Sequence, residues 1–194
     1  MCHNERNSDL VFEGSEKAIV FDPTIYDNLK VVLEGELYDR DLSEHIQIVD
    51  RSDLVDLAIM SRMFIMRFQI PNHPEFVAEI KLHAGAEDLA GEIVEVNNPT
   101  IGCRIQVGYR VRLTGDYIAA EEASHKIRKH LVKIWGEDMV IGQELCFFPN
   151  VLKDVPIYEC RSTIEFGRKI TEEQIGDIPR LVDHLIMSVQ HQKL

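Results

Sequence analysis

Four basic side chains in the middle of the chain have the types and spacing to bind an anion. Residues 104–113 alternate between apolar and polar types, which predicts a strand with Arg104, Arg110 and Arg112 on its polar face. We expect Lys81, on a neighbouring predicted strand, to lie beside them. Guanidinium groups bind carboxylates and phosphates through paired hydrogen bonds, so the four residues form a candidate ligand site. The alternative is that these cations pair across strands with glutamates, namely Glu79, Glu159 and Glu165.

A second group combines a histidine with acidic side chains. His83 ends a predicted strand, and Glu87 and Asp88 follow in a short acidic segment that we interpret as a helical turn or loop. Imidazole and carboxylate groups ligate divalent metals, and a site needs three or four of them together. The sequence therefore offers His83, Glu87 and Asp88 as a candidate metal site. The alternative is a polar loop beside an exposed strand face.

The remaining chemistry-bearing residues carry less information. His125 and His130 are five residues apart and His184 and His191 are seven apart, so neither pair has the four-residue helical spacing of two metal ligands. Residues 146–150 place two phenylalanines before a proline, which suits an apolar pocket or a subunit contact or, alternatively, a strand end. Phosphate-binding glycine loops, nucleophile elbows and the zinc-protease motif are absent from the sequence. We therefore predict no cofactor and identify no catalytic residue.

The elements that must position these residues are clearest in the second half of the chain. A helix is predicted over residues 116–136, beginning at Asp116 and ending at Gly136. Thr171 and Gln174 match a capping box, and a last helix follows with Pro179 in its first turn. Alternating strands are predicted over residues 104–113, 139–148 and 157–166.

The first half of the chain contains a predicted hairpin, two further predicted strands and a predicted short helix. Residues 62–70 and 75–83 alternate and are joined by a segment rich in turn formers, which predicts a β-hairpin. Residues 29–37 also alternate and are interpreted as a half-buried strand, and residues 46–49 as a shorter one. Leu54, Leu57 and Ala58 recur at helical spacing after Ser52, which predicts a short helix there.

Together these elements predict an α+β fold. Alternation implies mainly antiparallel sheet with one exposed charged face, and two long amphipathic helices are expected to cover the other face. Residues 1–15 are expected to form a flexible tail and residues 16–194 a single domain. A subdivision near residues 97–100 would separate a β-rich first half from a strand–helix–strand–strand–helix second half.

Composition and charge restrict the partners. The 194 residues include 21 Lys and Arg against 33 Asp and Glu, which gives a net charge of −12. Such a charge opposes non-specific binding to nucleic acid or to an anionic membrane. The four cysteines are far apart and form no zinc or disulfide pattern, and Cys160 is predicted to be a core residue. With no apparent signal peptide or apolar span, we expect a cytoplasmic protein.

Two functions are compatible with these features. The first is a non-enzymatic interaction or adaptor module that forms a homodimer or binds a protein partner. The second is a small enzyme or ligand-binding protein that grips an anionic small molecule with the arginines of the sheet face. The first predicts an oligomer or a stable complex. The second predicts a concave pocket that contains Arg104 or Arg110 beside a titratable neighbour such as His83 or Glu79.

Overall fold

In the part of the chain that the structure describes, a six-stranded antiparallel sheet is accompanied by four α-helices. The computed structural model of the chain describes residues 24–94, 101–149 and 156–190. The strands are β1 (Gln47–Asp56), β2 (Ser61–Ile70), β3 (His73–Ala84), β4 (Arg104–Leu113), β5 (Val140–Phe148) and β6 (Ile157–Glu165). The helices are α1 (Ile25–Leu42), α2 (Ala86–Ile93), α3 (Tyr117–Trp135) and α4 (Ile178–Gln190), with a short 3-10 helix, Glu172–Asp177, before α4. The predicted α+β class with an antiparallel sheet is confirmed.

The strands lie in the order β1-β2-β3-β4-β6-β5, and every neighbouring pair is antiparallel. The predicted hairpin is β2 and β3, which pair from Arg62 opposite Ala84 onward. Because β3 pairs with β4, the sheet continues from the first half of the chain to the second. The predicted boundary near residues 97–100 and the predicted tail at residues 1–15 lie outside the described residues.

The core lies between one face of the sheet and the helices α1, α3 and α4. The apolar side chains of β2, β3, β4 and β6 that point toward the helices are fully buried, among them Phe64, Ile80, Val107 and Ile164. Polar bonds fix the helices on this face. The Tyr109 hydroxyl on β4 hydrogen-bonds the Ser188 hydroxyl of α4 at 2.6 Å. Cys160 is buried in the same core, as predicted, and burial raises the pKa of its thiol.

Helix α1 corrects the prediction of a strand over residues 29–37. Tyr26, Leu29, Leu33 and Leu37 form its buried stripe, while Val31 points to solvent. Leu29, Leu33 and Leu37 are spaced by four residues. This spacing is a multiple of the two-residue period of a strand, and it is also close to the 3.6 residues of one helical turn. The choice therefore depended on Val31, whose exposure shows that the helix period is the correct one. Three long helices, rather than the expected two, thus accompany the sheet.

Strand β1 corrects the prediction of a helix after Ser52. The segment pairs with β2 along its length, and its backbone hydrogen bonds therefore belong to the sheet. Side chains from α1 hold the strand in place: Glu34 accepts a hydrogen bond from Arg51, and Lys30 forms an ion pair with Asp53. The helical spacing of its apolar residues buries no stripe, because Leu54 remains half exposed.

Candidate functional site

The candidate surface is the side of the sheet that faces away from α1, α3 and α4, which we call the open face. Its side chains alternate with the core residues along each strand. On the central strands, the residues of the open face include Glu79, Lys81 and His83 of β3 and Arg104, Gln106, Gly108, Arg110 and Arg112 of β4. The predicted ligand residues therefore lie on one face, and the pairing register shows which of them are neighbours.

A buried glutamate organises the cations at the centre of the open face. Glu79 is only 5% exposed, although its neighbours are charged. Its carboxylate accepts hydrogen bonds from Arg67 Nε at 2.5 Å and from an Arg110 terminal nitrogen at 3.2 Å, and Lys81 Nζ lies 2.9 Å away. Arg67 also contacts Asp50, which extends the network to the edge strand β1. We call these five residues the central ion cluster.

The cluster keeps Glu79 ionised. Burial by itself would raise the pKa of the Glu79 carboxyl, but the hydrogen bonds and charges of Lys81 and Arg67 outweigh burial, so the pKa lies below its usual range. A general acid or base works best when its pKa lies near the working pH. Glu79 is therefore suited to holding cations in place and poorly suited to moving protons.

Beside the central ion cluster is a shallow groove of about 460 Å³ across β4, β6 and β5. Gly108 of β4 and Gly142 of β5 both lie opposite Thr163 of β6. Because neither glycine has a side chain, the bottom of the groove lies close to the backbone of the sheet. Arg110 and Arg161 line its walls, each bonded to a carboxylate: Arg110 to Glu79, and Arg161 to Glu159 at 2.7 Å. The cation–carboxylate pairing that we gave as the alternative thus occurs here, although Glu159 pairs within β6.

The four predicted ligand residues do not converge on one point. Arg104 and Arg112 lie eight residues apart on β4, which separates them by about 27 Å along an extended strand. Arg110 and Lys81 belong to the central ion cluster. Among the described residues, Arg104 and Arg112 have no ion-pair partner. Arg104 and Arg112 thus lie at the two ends of β4, and Arg110 and Lys81 lie in the central ion cluster, where they are paired with Glu79.

A second groove lies at the end of the sheet where β4 begins. It has a volume of about 240 Å³ and is lined by three basic side chains, Lys81, His83 and Arg104, and three apolar ones, Met63, Ile105 and Phe166. Glu165 and Gln106 form another wall, bonded to each other at 2.9 Å. We call this the end groove. It brings together Lys81 and Arg104 of the predicted set beside the titratable His83.

The predicted metal ligands occupy separate positions. His83 lies in the end groove, Glu87 is exposed, and Asp88 is buried in the first turn of α2. The Asp88 carboxylate accepts from the backbone nitrogens of Gly85 and Gly102 and forms an ion pair with Lys169 at 2.5 Å. In the ranges that the structure describes, no group of three or more histidine, cysteine or acidic side chains could hold a metal ion. Asp88 therefore anchors α2 to the segments of the same chain that contain Gly102 and Lys169.

A buried polar network between β4, α3 and α4 was not found from the sequence. Trp135 Nε1 donates to the Tyr109 hydroxyl at 2.9 Å, and Tyr109 bonds Ser188. His130 Nε2 contacts the Ser188 carbonyl oxygen at 3.0 Å, and the His184 ring packs edge-on against Trp135. Two of the helix histidines thus have structural contacts. The sequence did not indicate that the hydroxyls of Tyr109 and Ser188 form hydrogen bonds, because both residues occupy buried positions in the core.

Exposed apolar residues cluster at the turn between β1 and β2. Leu57, which is 78% exposed, Ile59 and Met60 form the turn, and Leu54 and Val55 precede it. We call these five residues the hairpin patch. Leu54 lies opposite Met63, which lines the end groove, so the patch adjoins that groove on the open face. In the sequence, residues 54–60 are a run rich in apolar side chains, which we interpreted as the apolar stripe of a short helix.

Comparison with known proteins adds no further assignment. A scan of protein-family models, a search of curated proteins and a search of solved structures each gave no significant match to this chain. Among the described helices, none has both the length and the apolar character needed to cross a membrane.

Proposed function

We propose that the protein is a non-enzymatic interaction module that self-associates through the hairpin patch. The observation that carries this proposal is the exposure of five large apolar side chains within seven consecutive residues, 54–60. A cluster of large exposed apolar side chains at one turn of a folded protein is typical of a contact surface. A symmetric pair of identical patches is the most common way in which soluble proteins bury such a surface.

The position of the patch also supports association. Strand β1 is an edge of the sheet, and its outer backbone groups have no neighbouring strand among the described elements. A second chain that contacts the turn can also bond this edge. The bulge between Ile48 and Asp50 interrupts the first half of β1, so the second half, next to the patch, is the regular part.

Two further features support a binding role in the cytoplasm. Cys103, Cys146 and Cys160 are free thiols, as expected in a reducing compartment, and burial raises the pKa of Cys103 to about 12, which keeps it unreactive. Glu79, the buried carboxylate at the centre of the open face, is held by cations. The net charge of −12 opposes a nucleic-acid or membrane partner.

Light scattering after size-exclusion chromatography tests the proposal. We expect the wild-type protein to have twice the 22.3 kDa mass of one chain. Leu57→Asp places a charge in the patch and should give single chains. The matched control is Ile118→Asp, because Ile118 is also exposed and apolar but lies on α3. A wild-type protein that is a single chain at about 100 µM, well above the Kd of an ordinary specific interface, would contradict self-association.

A further inference from the structure

We propose that the end groove binds a small carboxylate that carries an apolar group. This inference goes beyond self-association and does not depend on it, because it concerns a different set of side chains. The ligand's carboxylate would lie against Arg104 with Lys81 and His83 beside it. Its apolar part would contact Met63, Ile105 and Phe166.

The first argument is the state of Arg104. Every other arginine that lines a groove on the open face bonds a carboxylate, as Arg110 does with Glu79 and Arg161 with Glu159. Within the part of the chain that the structure describes, Arg104 has no ion pair or hydrogen bond of its side chain. Its guanidinium fork is therefore available, and carboxylates are the groups that match its geometry.

The second argument is the arrangement of neighbours around Arg104. His83 lies directly opposite Arg104 in the β3–β4 register, and Met63 lies opposite His83 in the β2–β3 register. One row across three strands thus changes from apolar to cationic. Lys81 adds an ammonium charge, although its Nζ is also 2.9 Å from the Glu79 carboxylate. Glu165 faces the groove but is bonded by Gln106, and it is outnumbered by the basic groups.

The third argument is a neighbouring cavity that extends the apolar side. A pocket of about 130 Å³ shares Ile105 and Phe166 with the end groove. Its other lining residues are the apolar Ile170, Ile178 and Leu181 and the polar Arg168, Gln174 and Asp177. An apolar group that enters beside Phe166 has room to continue toward α4. A site with a few polar groups at one end and apolar walls at the other is typical for small amphipathic ligands.

The fourth argument is the charge of the whole protein, which limits the ligand. The net charge of −12 repels anions at long range, and the repulsion grows with the charge of the ligand. A monoanion with an apolar part is repelled least and gains from burial of its apolar surface. A nucleic acid or a strongly acidic protein segment is repelled most. The observations therefore favour a small monocarboxylate.

Octanoate is a suitable probe, with octanol and acetate as controls that lack the charge and the apolar chain. Trp135 is the only tryptophan in the chain, and its ring packs against Phe166 at 5.8 Å, so its fluorescence reports on the groove. We expect saturable binding of octanoate. Octanol should bind at least about tenfold more weakly because it loses one charge-assisted contact. Acetate should also bind at least about tenfold more weakly, because it has no apolar chain to bury. The measurement uses the full chain at moderate salt.

Two variants locate the binding. Arg104→Gln should weaken octanoate binding by about tenfold, the effect expected for one lost charge-assisted contact. Arg112→Gln is the matched control, because Arg112 is an unpaired arginine on the same strand and face but lies outside the end groove. Both positions are exposed, so both variants should fold, which circular dichroism checks.

Three results would overturn the proposal: no saturable octanoate binding to the wild-type protein, equal weakening by the two variants, or equal affinity for octanol and octanoate. None of these results bears on self-association, which light scattering measures separately. A monomeric protein that binds octanoate through Arg104 would refute the proposed self-association and support the ligand site.

Discussion

Replacing Glu79 with glutamine should destabilise the fold, because it removes the negative charge that holds three cations at the centre of the sheet. The Glu79 side chain is 6% exposed, while those of Arg67, Lys81 and Arg110 are 20%, 27% and 39% exposed. Removing one partner of a fully buried ion pair costs about 3 to 5 kcal/mol. The partly exposed cations regain some hydration in the variant, so we expect a loss of about 2 to 3 kcal/mol.

Urea unfolding followed by Trp135 fluorescence measures this loss. Glu165→Gln is the matched control, because Glu165 is an exposed glutamate on the same face whose only described partner is Gln106. It should change the free energy of unfolding by less than about 0.5 kcal/mol. An equal effect of the two substitutions would mean that the central ion cluster has no special role.

The pH dependence provides a second test of the same reasoning. The pKa of Glu79 is lowered in the folded state, so its contribution to stability is present above the usual glutamate pKa of 4.5. That contribution is lost as the pH falls through the lower, folded-state pKa. The difference in stability between wild type and Glu79→Gln should therefore narrow below about pH 4.5. A variant as stable as the wild type at pH 7 would refute the account of the central ion cluster.

Three further predictions concern the packing of the core and of α2. Burial raises the pKa of Glu92, one of whose buried oxygens lacks a hydrogen-bond partner in the described structure, so ionisation of Glu92 destabilises the fold. Glu92→Gln should stabilise the protein by about 1 kcal/mol at pH 7, and this gain should disappear below about pH 4.5; a loss of stability at pH 7 would contradict it. Tyr109→Phe should cost about 1 to 2 kcal/mol in urea unfolding, because Trp135 Nε1 loses its acceptor; an unchanged midpoint would show that the network is energetically neutral. Gly102→Ala places a Cβ 2.6 Å from a backbone carbonyl oxygen and should lower the midpoint of thermal unfolding. Gly35→Ala in α1, where a Cβ meets open space, should raise that midpoint. A higher midpoint for Gly102→Ala than for Gly35→Ala would be inconsistent with the backbone described here.

The second half of the chain could be predicted from the sequence because its local and tertiary signals agree. Helix α3 has the N-cap Asp116, whose carboxylate accepts from the Ala119 backbone nitrogen at 2.9 Å, and it ends before Gly136, whose φ is +98°. The capping box between Thr171 and Gln174 is also present. Each of these signals depends on side chains within a few residues, so tertiary structure was not needed to interpret them.

The first half was harder because its signals are ambiguous without tertiary contacts. The leucines of α1 suit a strand as well as a helix. The helical spacing after Ser52 occurs in a strand that β2 and α1 hold in place. The candidate site was partly predictable for a related reason: alternation placed Arg104, Arg110 and Arg112 on one face, but only the register showed that Arg110 meets Glu79 and that Arg104 meets His83.

The central claim is that the described helices α1, α3 and α4 all cover the same face of the sheet and leave the other face open. Two neighbouring residues of β4 test it most directly. Val111 faces the helices and is 1% exposed, whereas Arg112 lies on the open face and is exposed. Single substitutions Arg112→Cys and Val111→Cys can be compared by maleimide labelling of the folded protein, with the labelled site identified by mass spectrometry. Labelling at position 112 should be rapid, and labelling at position 111 should require unfolding. Equal protection of both thiols would show that the open face is covered, and it would contradict the claim.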